Sequence, residues 1–259
     1  MQNLTIVKVG GKVAENQDSL QKLLFDFSNM IGLKILVHGG GNIATELSNK
    51  LGLKVNMVNG RRSTDEQMLK LVTMVYGGLI NKNIVAGLQK RNCNAIGLTG
   101  ADLNLITAVK RPAKDIDYGF VGDIIRVNAD AFKVLIENDF VPVIAPLTHN
   151  NKGQILNTNA DDITNAIAQE LNQYFKIKLI FCFDKKGVMI DQEDENTVIN
   201  KLNKKDFTKL VKDNIINSGM IPKLENGFHS LESGVEKVYI TDVNSFADEN
   251  PGGTELVNN

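Results

Sequence analysis

Two kinds of apolar pattern alternate along this chain. Short runs in which nearly every position is apolar, such as residues 4–9 and 177–183, predict buried strands. Longer segments with an apolar residue at every third or fourth position, such as residues 18–31, predict amphipathic helices. Because strands and helices alternate, we expect an α/β fold: a three-layer αβα sandwich built on a mainly parallel open sheet.

The same patterns predict the remaining elements. Further strands are expected at residues 34–37, 55–58, 94–98, 104–110, 120–127, 141–145, 235–240 and 252–257. Further helices are expected at residues 42–51, 64–90, 129–138, 163–171, 206–212 and 224–232. Ile31 and Leu51 are assigned to the apolar faces of their helices. Thr64 and Gln67 predict a capping box at the start of helix 64–90, which is expected to bend near residues 77–78.

Composition narrows the class of protein. Of 259 residues, 42% are hydrophobic and 23% charged, and the net charge of −1 gives no reason to expect a nucleic acid or an anionic membrane as partner. Cys93 and Cys182 are expected to be free thiols in the core. No apolar stretch is expected to cross a bilayer, and a strand begins too early for a signal peptide. We therefore expect a cytoplasmic protein.

Two glycine loops indicate where a ligand binds. Gly10 and Gly11 follow the first strand, and Gly39, Gly40 and Gly41 follow the second. Glycines between a strand and a helix leave backbone N–H groups open to an anion at the start of the helix. Lys8 lies inside the first strand, where a buried charge is costly unless it is paired. Together, these features predict a polyphosphate site.

Familiar active-site motifs are absent from the sequence. It has no G-x-G-x-x-G loop, no Walker A loop, no nucleophile elbow, and no His or Cys set with metal-ligand spacing. His38, His149 and His229 are scattered and are interpreted as structural. What remains is an inventory of glycine amides, lysines, an arginine pair and isolated carboxylates. That inventory suits phosphoryl transfer, in which positioning and charge neutralisation do most of the catalysis.

Six short motifs carry a resemblance to a known family. They are IVKVGG (residues 6–11), VHGGGN (37–42), NGRRST (59–64), LNTNAD (156–161), GMIPK (219–223) and a terminal GGT. Together they resemble the amino-acid kinase superfamily and, within it, the N-acetylglutamate kinase family. The resemblance extends over nearly the whole chain. It implies one amino-acid kinase domain over residues 1–259, with an acylglutamate-binding lobe at about 1–150 and an ATP-binding lobe at about 151–259.

The resemblance also implies a reaction. ATP would phosphorylate the side-chain carboxylate of an N-acylated glutamate in arginine biosynthesis, with Mg²⁺ held mainly by the phosphates and no metal ligands from the chain. Lys8 would lie between the β- and γ-phosphates, and Lys223 would neutralise the leaving ADP. The N–H groups of Gly11 and Gly40 would bind the transferred phosphoryl group. Asp161 would hold the two lysines.

Binding roles are implied for a second set of residues. Arg62 and Asn157 would bind the α-carboxylate of the substrate, with Gly40 and Gly41 beside them. The ATP site would be formed by Lys8, Gly10, Gly11, Asp184, Gly187 and Lys223, with residues 184–187 at the adenine and ribose.

Arg61 departs from the family pattern, which commonly has an apolar residue at this position. A solvent-facing arginine is one interpretation. The alternative is that Arg61 binds a second carboxylate on the acyl group, which would make N-succinylglutamate the substrate.

Only seven residues precede Lys8. The arginine-inhibited, hexameric members of the family have an additional N-terminal helix that links dimers, so we expect a homodimer that is insensitive to arginine.

Two other functions remain open at this stage. One is a regulatory relative that binds a nucleotide or an amino acid without catalysis, although a pure binder has no need of Lys8, Asp161 and Lys223 together. The other is a kinase for free glutamate or aspartate. Its substrate's ammonium group would favour an acidic partner near Arg62, and the adjacent residues offer none.

Overall fold

The computed structural model describes residues 1–58, 60–113, 115–191, 194–216 and 219–258. Fourteen strands are present in these ranges. They are β1 Gln2–Val9, β2 Leu33–His38, β3 Met57–Val58, β4 Arg61–Arg62, β5 Ala95–Leu98, β6 Ile106–Lys110, β7 Gly122–Val127, β8 Val141–Ile144, β9 Leu147–His149, β10 Ile155–Asn157, β11 Phe175–Phe183, β12 Lys201–Asn203, β13 Lys237–Asp242 and β14 Thr254–Val257. Asn59 of the NGRRST motif and residues 217–218, just before GMIPK, lie outside the described residues.

Nine α-helices connect these strands within the described ranges. They are α1 Gly11–Glu15, α2 Gln17–Asn29, α3 Gly41–Lys50, α4 Glu66–Val72, α5 Asn81–Gln89, α6 Ala129–Glu137, α7 Ala160–Leu171, α8 Lys204–Lys212 and α9 Ile221–Glu232. A π-helical segment, Thr73–Ile80, joins α4 to α5, and short 3₁₀ turns occupy Asp102–Asn104 and Glu195–Thr197.

The central sheet has eight strands in the order β12-β14-β13-β11-β1-β2-β8-β5. Every neighbouring pair is parallel except β13 and β14. Strands from the first half of the chain form one side of the sheet and strands from the second half form the other, with β1 paired to β11 at the junction. The division into two lobes stays a prediction.

Alternate residues of the strands feed two apolar layers. Leu4 and Ile6 of β1 face a cluster that includes apolar side chains of α6–α9, whereas Val7 and Val9 face a cluster formed with α1–α5. Because successive side chains of a strand point to opposite faces, one sheet supports both layers. The predicted three-layer αβα sandwich is confirmed.

A small four-stranded sheet, β10-β9-β6-β7, and the β3–β4 hairpin lie outside the central sheet. The strands expected at residues 104–110 and 120–127 are present as β6 and β7, which pair antiparallel. The short strands β9 and β12 and helix α1 were not predicted. Each has only three to five residues, too few for a periodic pattern to develop.

The long helical stretch Glu66–Gln89 overturns one expectation and bears on another. By length and composition alone it could cross a membrane, with a mean hydropathy of 1.3, contrary to the prediction that no stretch qualifies. In the described structure, 44% of the apolar part of this stretch is buried. Its last helix, α5, packs against β5, β8 and α2, which is typical of a core helix. A π-helical segment, in which each turn takes in an extra residue, lies where the bend was predicted, and the bend itself stays a prediction.

Three local assignments were wrong. The side chain of Asp65, not Thr64, caps α4 by accepting a hydrogen bond from the N–H of Met68. Thr64 instead donates its hydroxyl to the carbonyl of Arg62. Ile31 and Leu51 are exposed because α2 and α3 end before them, at Asn29 and Lys50. In both cases the apolar pattern was followed one or two residues past the C-terminal end of the helix.

Candidate active site

A cleft of about 580 Å³ opens at the carboxyl ends of β1, β2 and β11. Loops after parallel strands converge at this edge of the sheet, which is where α/β proteins bind ligands. Eleven of the twelve predicted site residues line the cleft: Lys8, Gly10, Gly11, Gly40, Gly41, Arg61, Arg62, Asn157, Asp161, Asp184 and Lys223. The fold therefore brings together residues from five separate motifs.

The two glycine loops lie side by side at the base of the cleft. The Gly10 N–H donates to the carbonyl of Cys182, and the Gly39 N–H donates to the carbonyl of Val9, so both loops are anchored to strands. In contrast, the N–H groups of Gly11 and Gly40 donate no hydrogen bond within the described chain. Two backbone donors are therefore available to a ligand.

Glycine is required at Gly40 by packing. A Cβ atom there would lie 2.3 Å from Cδ1 of Ile80 and about 3.1 Å from the ring of Tyr76. Ile80 and Tyr76 belong to the π-helical segment, which thereby covers the back of the second glycine loop. Gly40 also adopts a positive φ of 158°, which a residue with a side chain rarely takes.

Three helices begin at the cleft without a side-chain cap. They are α1 after Gly10, α3 after Gly40 and α9 after Met220. The N-terminus of a helix carries a partial positive charge and unpaired N–H groups, so uncapped starts favour an anion. Helix α7 also begins here, but its first N–H groups are capped by the side chain of Asn159.

Lys8 and Asp161 form the innermost charged pair. Nζ of Lys8 lies 2.7 Å from Oδ1 of Asp161, with exposed side-chain fractions of 7% and 13%. Lys8 is on β1, a central strand of the sheet, so its side chain does not lie at an edge open to solvent. Taking an ammonium group this far out of water is tolerable because the carboxylate compensates for the lost hydration.

Lys223 contacts the same aromatic ring, Phe183, as Lys8 does. Its Nζ is 4.1 Å from the centre of the Phe183 ring, and Nζ of Lys8 is 4.8 Å from the same centre. Burial lowers the pKa of Lys223 from its ordinary value, and the positive charge of Lys8 lowers it further, with partial compensation from Asp161. Two lysines therefore converge on one small volume.

A second ion pair lies at the outer edge. Nζ of Lys12, in α1, is 2.7 Å from Oδ2 of Asp184, which follows β11. Burial raises the pKa of the Asp184 carboxyl group. The hydrogen bond from Lys12, with the charges of Lys12 and Lys223, outweighs that effect and leaves the pKa lowered. Lys12 was not predicted, although its place directly after two glycines was a usable signal.

Arg62 and Asn157 form a more enclosed polar group. The guanidinium Nη2 of Arg62 donates to the carbonyl of Gly41 and to the hydroxyl of Thr45, both at 2.6 Å, whereas its Nε is buried with no hydrogen-bond partner among the described residues. Asn157 donates to the hydroxyl of Thr64 at 2.9 Å. Both side chains are less than a tenth exposed, so they are held rigidly at the cleft wall.

Tyr76 was missed by the sequence reasoning because it lies within a helical apolar pattern. It lines the cleft beside Arg62, and burial raises the pKa of its hydroxyl, with a smaller opposing effect from Arg62. Phe183 was missed because it is the last residue of an apolar strand, β11, and so resembles an ordinary core residue. An aromatic residue at the carboxyl end of a central strand was the only signal for it.

Arg61 has a partner inside the protein. Its Nη1 lies 2.9 Å from Oδ2 of Asp162, and about a quarter of each side chain is exposed. It is therefore neither a solvated surface arginine nor a free cation at the acyl end of the site. Each polar residue at the start of α7 has a separate role: Asn159 caps the helix, Asp161 pairs with Lys8, and Asp162 pairs with Arg61.

Gly187 is the one predicted site residue outside the main cleft. It lines a small cavity of about 50 Å³ together with Val188, Met189 and Ile216, and this cavity shares Lys185 and Met220 with the cleft. A Cβ on Gly187 would lie 2.8 Å from the hydroxyl of Thr254. An apolar annex thus adjoins the polar cleft.

The described residues contain no cluster of three His, Cys, Asp or Glu side chains that could hold a metal ion. Both cleft carboxylates already contact lysines. The two cysteines are free and buried, as predicted. His38 is fully buried, and burial lowers its pKa to about 4, so it is neutral at physiological pH.

The sequence of this chain is similar to those of known proteins. The family model described as the amino acid kinase family matches residues 3–242. The chain belongs to the amino acid kinase family. An acetylglutamate kinase from Phocaeicola vulgatus is 55% identical over 240 residues, covering 93% of each chain. Another from Cytophaga hutchinsonii is 49% identical over 264 residues and covers all of both chains.

A solved structure extends the comparison to fold. The carbamate kinase of Giardia lamblia, bound to AMP-PNP, superposes with a TM-score of 0.74 at 14% identity and covers 100% of this chain and 99% of its own. At that identity the likeness concerns the fold alone. This family member's αβα architecture is thus shared with a distant kinase. The N-succinylglutamate alternative is not favoured, because the similar relatives are acetylglutamate kinases and Arg61 is paired with Asp162.

Proposed function

We propose that this chain is a kinase that transfers the γ-phosphoryl group of ATP to the side-chain carboxylate of N-acetyl-L-glutamate, as a step of arginine biosynthesis. The observation that carries the proposal is the convergence of Lys8, Lys223 and Asp161 with two free backbone N–H groups in one cleft. The relatives named acetylglutamate kinase support the choice of substrate. A regulatory protein that only binds ligands would not require this set.

The phosphate end of the site is assigned to the lysines and glycines. Lys8 binds between the β- and γ-phosphates, and Lys223 neutralises charge on the departing ADP. The N–H groups of Gly11 and Gly40 donate to the transferred phosphoryl group. Fixed donors of this kind lower the barrier because they need no reorganisation as charge moves in the transition state. Asp161 acts on the lysines and does not contact the phosphates.

The acceptor end is assigned to Arg62 and Asn157. Arg62 lines the cleft, and the planar fork of donors in a guanidinium group is suited to a carboxylate, so Arg62 binds the α-carboxylate of the substrate. Asn157 contributes an amide beside it, and Gly40 and Gly41 pack along the substrate backbone. An N-acylated substrate has no ammonium group, which fits a site whose nearest carboxylates are already paired.

The chemical step requires positioning rather than proton transfer. The acceptor carboxylate is ionised at neutral pH, so its oxygen attacks phosphorus directly and no general base is needed. The new bond joins that oxygen to the γ-phosphorus, and the bond to the β,γ-bridging oxygen breaks as ADP leaves. Mg²⁺ would supply additional positive charge to the phosphates. The phosphates, and not a set of protein side chains, would hold it.

The nucleotide base is assigned to the apolar annex. Gly10, Asp184 and Gly187 lie along the path from the cleft to this cavity, and its wall is formed by aliphatic side chains. Adenine gains from apolar contact on both faces, whereas Asp184 offers an acceptor to a ribose hydroxyl.

The direct test is an assay for the acyl phosphate. The purified chain is incubated with ATP and Mg²⁺ and with N-acetylglutamate, N-succinylglutamate or glutamate, and hydroxylamine traps the product as a hydroxamate. We expect hydroxamate with N-acetylglutamate and none with glutamate. A matched pair of lysine variants controls the assay. Lys8→Met is expected to be inactive. Lys22→Met, which breaks a partly exposed ion pair within α2, is expected to retain full activity.

Other results would redirect the proposal. A higher kcat/KM with N-succinylglutamate would replace the acetyl substrate while preserving the reaction. Nucleotide binding without turnover of any substrate would instead indicate the regulatory relative.

The chain is further proposed to act in the cytoplasm as a homodimer. Met74 and Leu79 of the π-helical segment are apolar and yet 61% and 51% exposed, next to buried neighbours such as Val75 and Ile80. Such side chains are suited to contact with a second copy of the chain. Light scattering should give a dimer for the natural chain and a monomer for Leu79→Glu. Leu51→Glu, a similarly exposed site just after α3, should leave the dimer intact.

A further inference from the structure

A buried histidine lies directly before the second glycine loop. His38 ends β2 and is 0% exposed, and its Nδ1 lies 2.8 Å from the carbonyl oxygen of Gly39. Its Nε2 lies 3.2 Å from the amide nitrogen Nδ2 of Asn81, which is also buried. The imidazole therefore spans the space between the glycine loop and the long helix.

The hydrogen bonds select one tautomer of this ring. The carbonyl of Gly39 can only accept, so Nδ1 of His38 carries the proton and donates. Nε2 is then an acceptor, and it receives one N–H of the Asn81 amide. The other N–H of that amide donates to the carbonyl of Val143 on β8 at 2.9 Å. The chain of donors thus runs from the helix, through the ring, to the glycine loop.

The orientation of the Gly39 carbonyl fixes the N–H group of Gly40. Both belong to one planar peptide unit, and no cis peptide bond occurs in the described chain, so they point in opposite directions. With the carbonyl held by His38, the N–H of Gly40 points away from the ring; Gly40 lines the cleft, and this N–H donates no hydrogen bond within the described chain. A loop of three glycines could otherwise rotate this peptide at little cost.

We propose that His38, held in its tautomer by Asn81, is a positioning residue that aims the Gly40 N–H at the transferred phosphoryl group. The π-helical segment serves the same peptide, because Tyr76 and Ile80 contact Gly40 and Asn81 follows directly after the segment. This inference rests on the proposed kinase function, in which Gly40 donates to the transition state.

Two substitutions of His38 separate its two nitrogen atoms. His38→Asn keeps a donor one bond from Cγ, at the position of Nδ1, and so can still hold the Gly39 carbonyl. His38→Gln places its amide farther out, near the position of Nε2, and loses the donor to Gly39. Both remove the buried ring, so both are expected to lower the unfolding temperature by similar amounts.

Their kinetics are expected to differ. His38→Asn should retain kcat to within about threefold, and His38→Gln should lose at least about tenfold in kcat, because losing a fixed transition-state donor typically costs 10²-fold or more and a misdirected one costs part of that. KM for ATP and for N-acetylglutamate should change little in either variant. Calorimetric binding of ADP, Mg²⁺ and aluminium fluoride with N-acetylglutamate should weaken for His38→Gln alone.

Asn81→Leu provides an independent measurement if a His38 variant does not fold. It removes the partner of Nε2, and we expect kcat to fall with little change in KM. Lys34→Met is the matched control, because Lys34 is buried on the same strand and the same face but caps the carbonyl end of α2, far from the loop. It should lower stability without changing kcat.

The outcomes separate the two levels of the argument. An inactive natural chain would overturn the proposed function and this inference with it. An active natural chain with equal kcat losses in His38→Asn and His38→Gln, or with losses that follow unfolding temperature through Lys34→Met, would overturn the positioning role alone.

Discussion

Lys223 differs from an ordinary lysine in its surroundings. Its ammonium group lies over the Phe183 ring, and burial followed by the charge of Lys8 lowers its pKa. A lowered pKa means that the side chain loses its proton, and with it the charge that stabilises ADP, at a lower pH than a solvated lysine would.

We therefore expect kcat/KM for ATP to decline on the alkaline side, beginning below the usual lysine range. Lys223→Arg should move this decline to higher pH, because a guanidinium group stays charged throughout. The measurement is a pH–rate profile of both proteins. The same alkaline decline in each would show that another group is responsible.

His38 makes a prediction about stability. Its pKa is about 4 in the folded chain against 6.5 for the free group. As pH falls below 6.5, the unfolded chain gains a proton that the folded chain does not, so unfolding becomes more favourable until the folded pKa is passed. The natural chain should therefore lose about 2 kcal/mol more than His38→Asn between pH 7 and pH 5. Urea unfolding at both pH values measures this, and equal losses would contradict it.

At the scale of elements, the site depends on how helix starts meet the sheet. Helices α1 and α3 begin at the cleft without side-chain caps, so their first N–H groups remain open. The π-helical segment packs behind α3 and leaves no space for a side chain at Gly40. The loop's shape is thus determined by a neighbouring helix as well as by its own glycines.

This packing predicts a suppressor. Gly40→Ala should lower stability by about 1–3 kcal/mol, because its Cβ would overlap Cδ1 of Ile80. Adding Ile80→Val removes that atom and should restore part of the loss. Gly78→Ala is the control on the same segment, since nothing lies within 4 Å of the added Cβ. Urea midpoints test the series, and no recovery in the double variant would contradict the packing argument.

At the scale of the whole molecule, the cleft collects its charges from both halves of the chain. Lys8, Lys12 and Arg62 come from the first half, and Asp161, Asp184 and Lys223 from the second. A nucleotide in this cleft would bind the folded chain and not the unfolded one.

ADP with Mg²⁺ should therefore stabilise the protein, by about 2.7 kcal/mol at a concentration one hundred times Kd. Thermal unfolding with increasing ADP measures the shift. Lys8→Met should need more nucleotide for the same shift, whereas Lys22→Met should match the natural chain. No shift with the natural chain would argue against a nucleotide site.

The sequence by itself determined the longer strands, the glycine loops and, through the motifs that carry the family resemblance, most residues of the candidate site. Apolar periodicity and strand-then-glycine order are local properties, because side-chain alternation and glycine's conformational range act within a few residues. That is why residues 4–9, residues 34–37 and the loops that follow them were assigned correctly.

Only the tertiary structure decided the pairings. Asp161 meets Lys8 and Asp162 meets Arg61 across more than 90 residues of chain, and Tyr76 reaches Gly40 from a helix that reads as plain core. Sequence spacing carries no distance information over such separations. Whether a charge is buried, paired or free depends on which strands become neighbours, and that follows from packing the whole sheet.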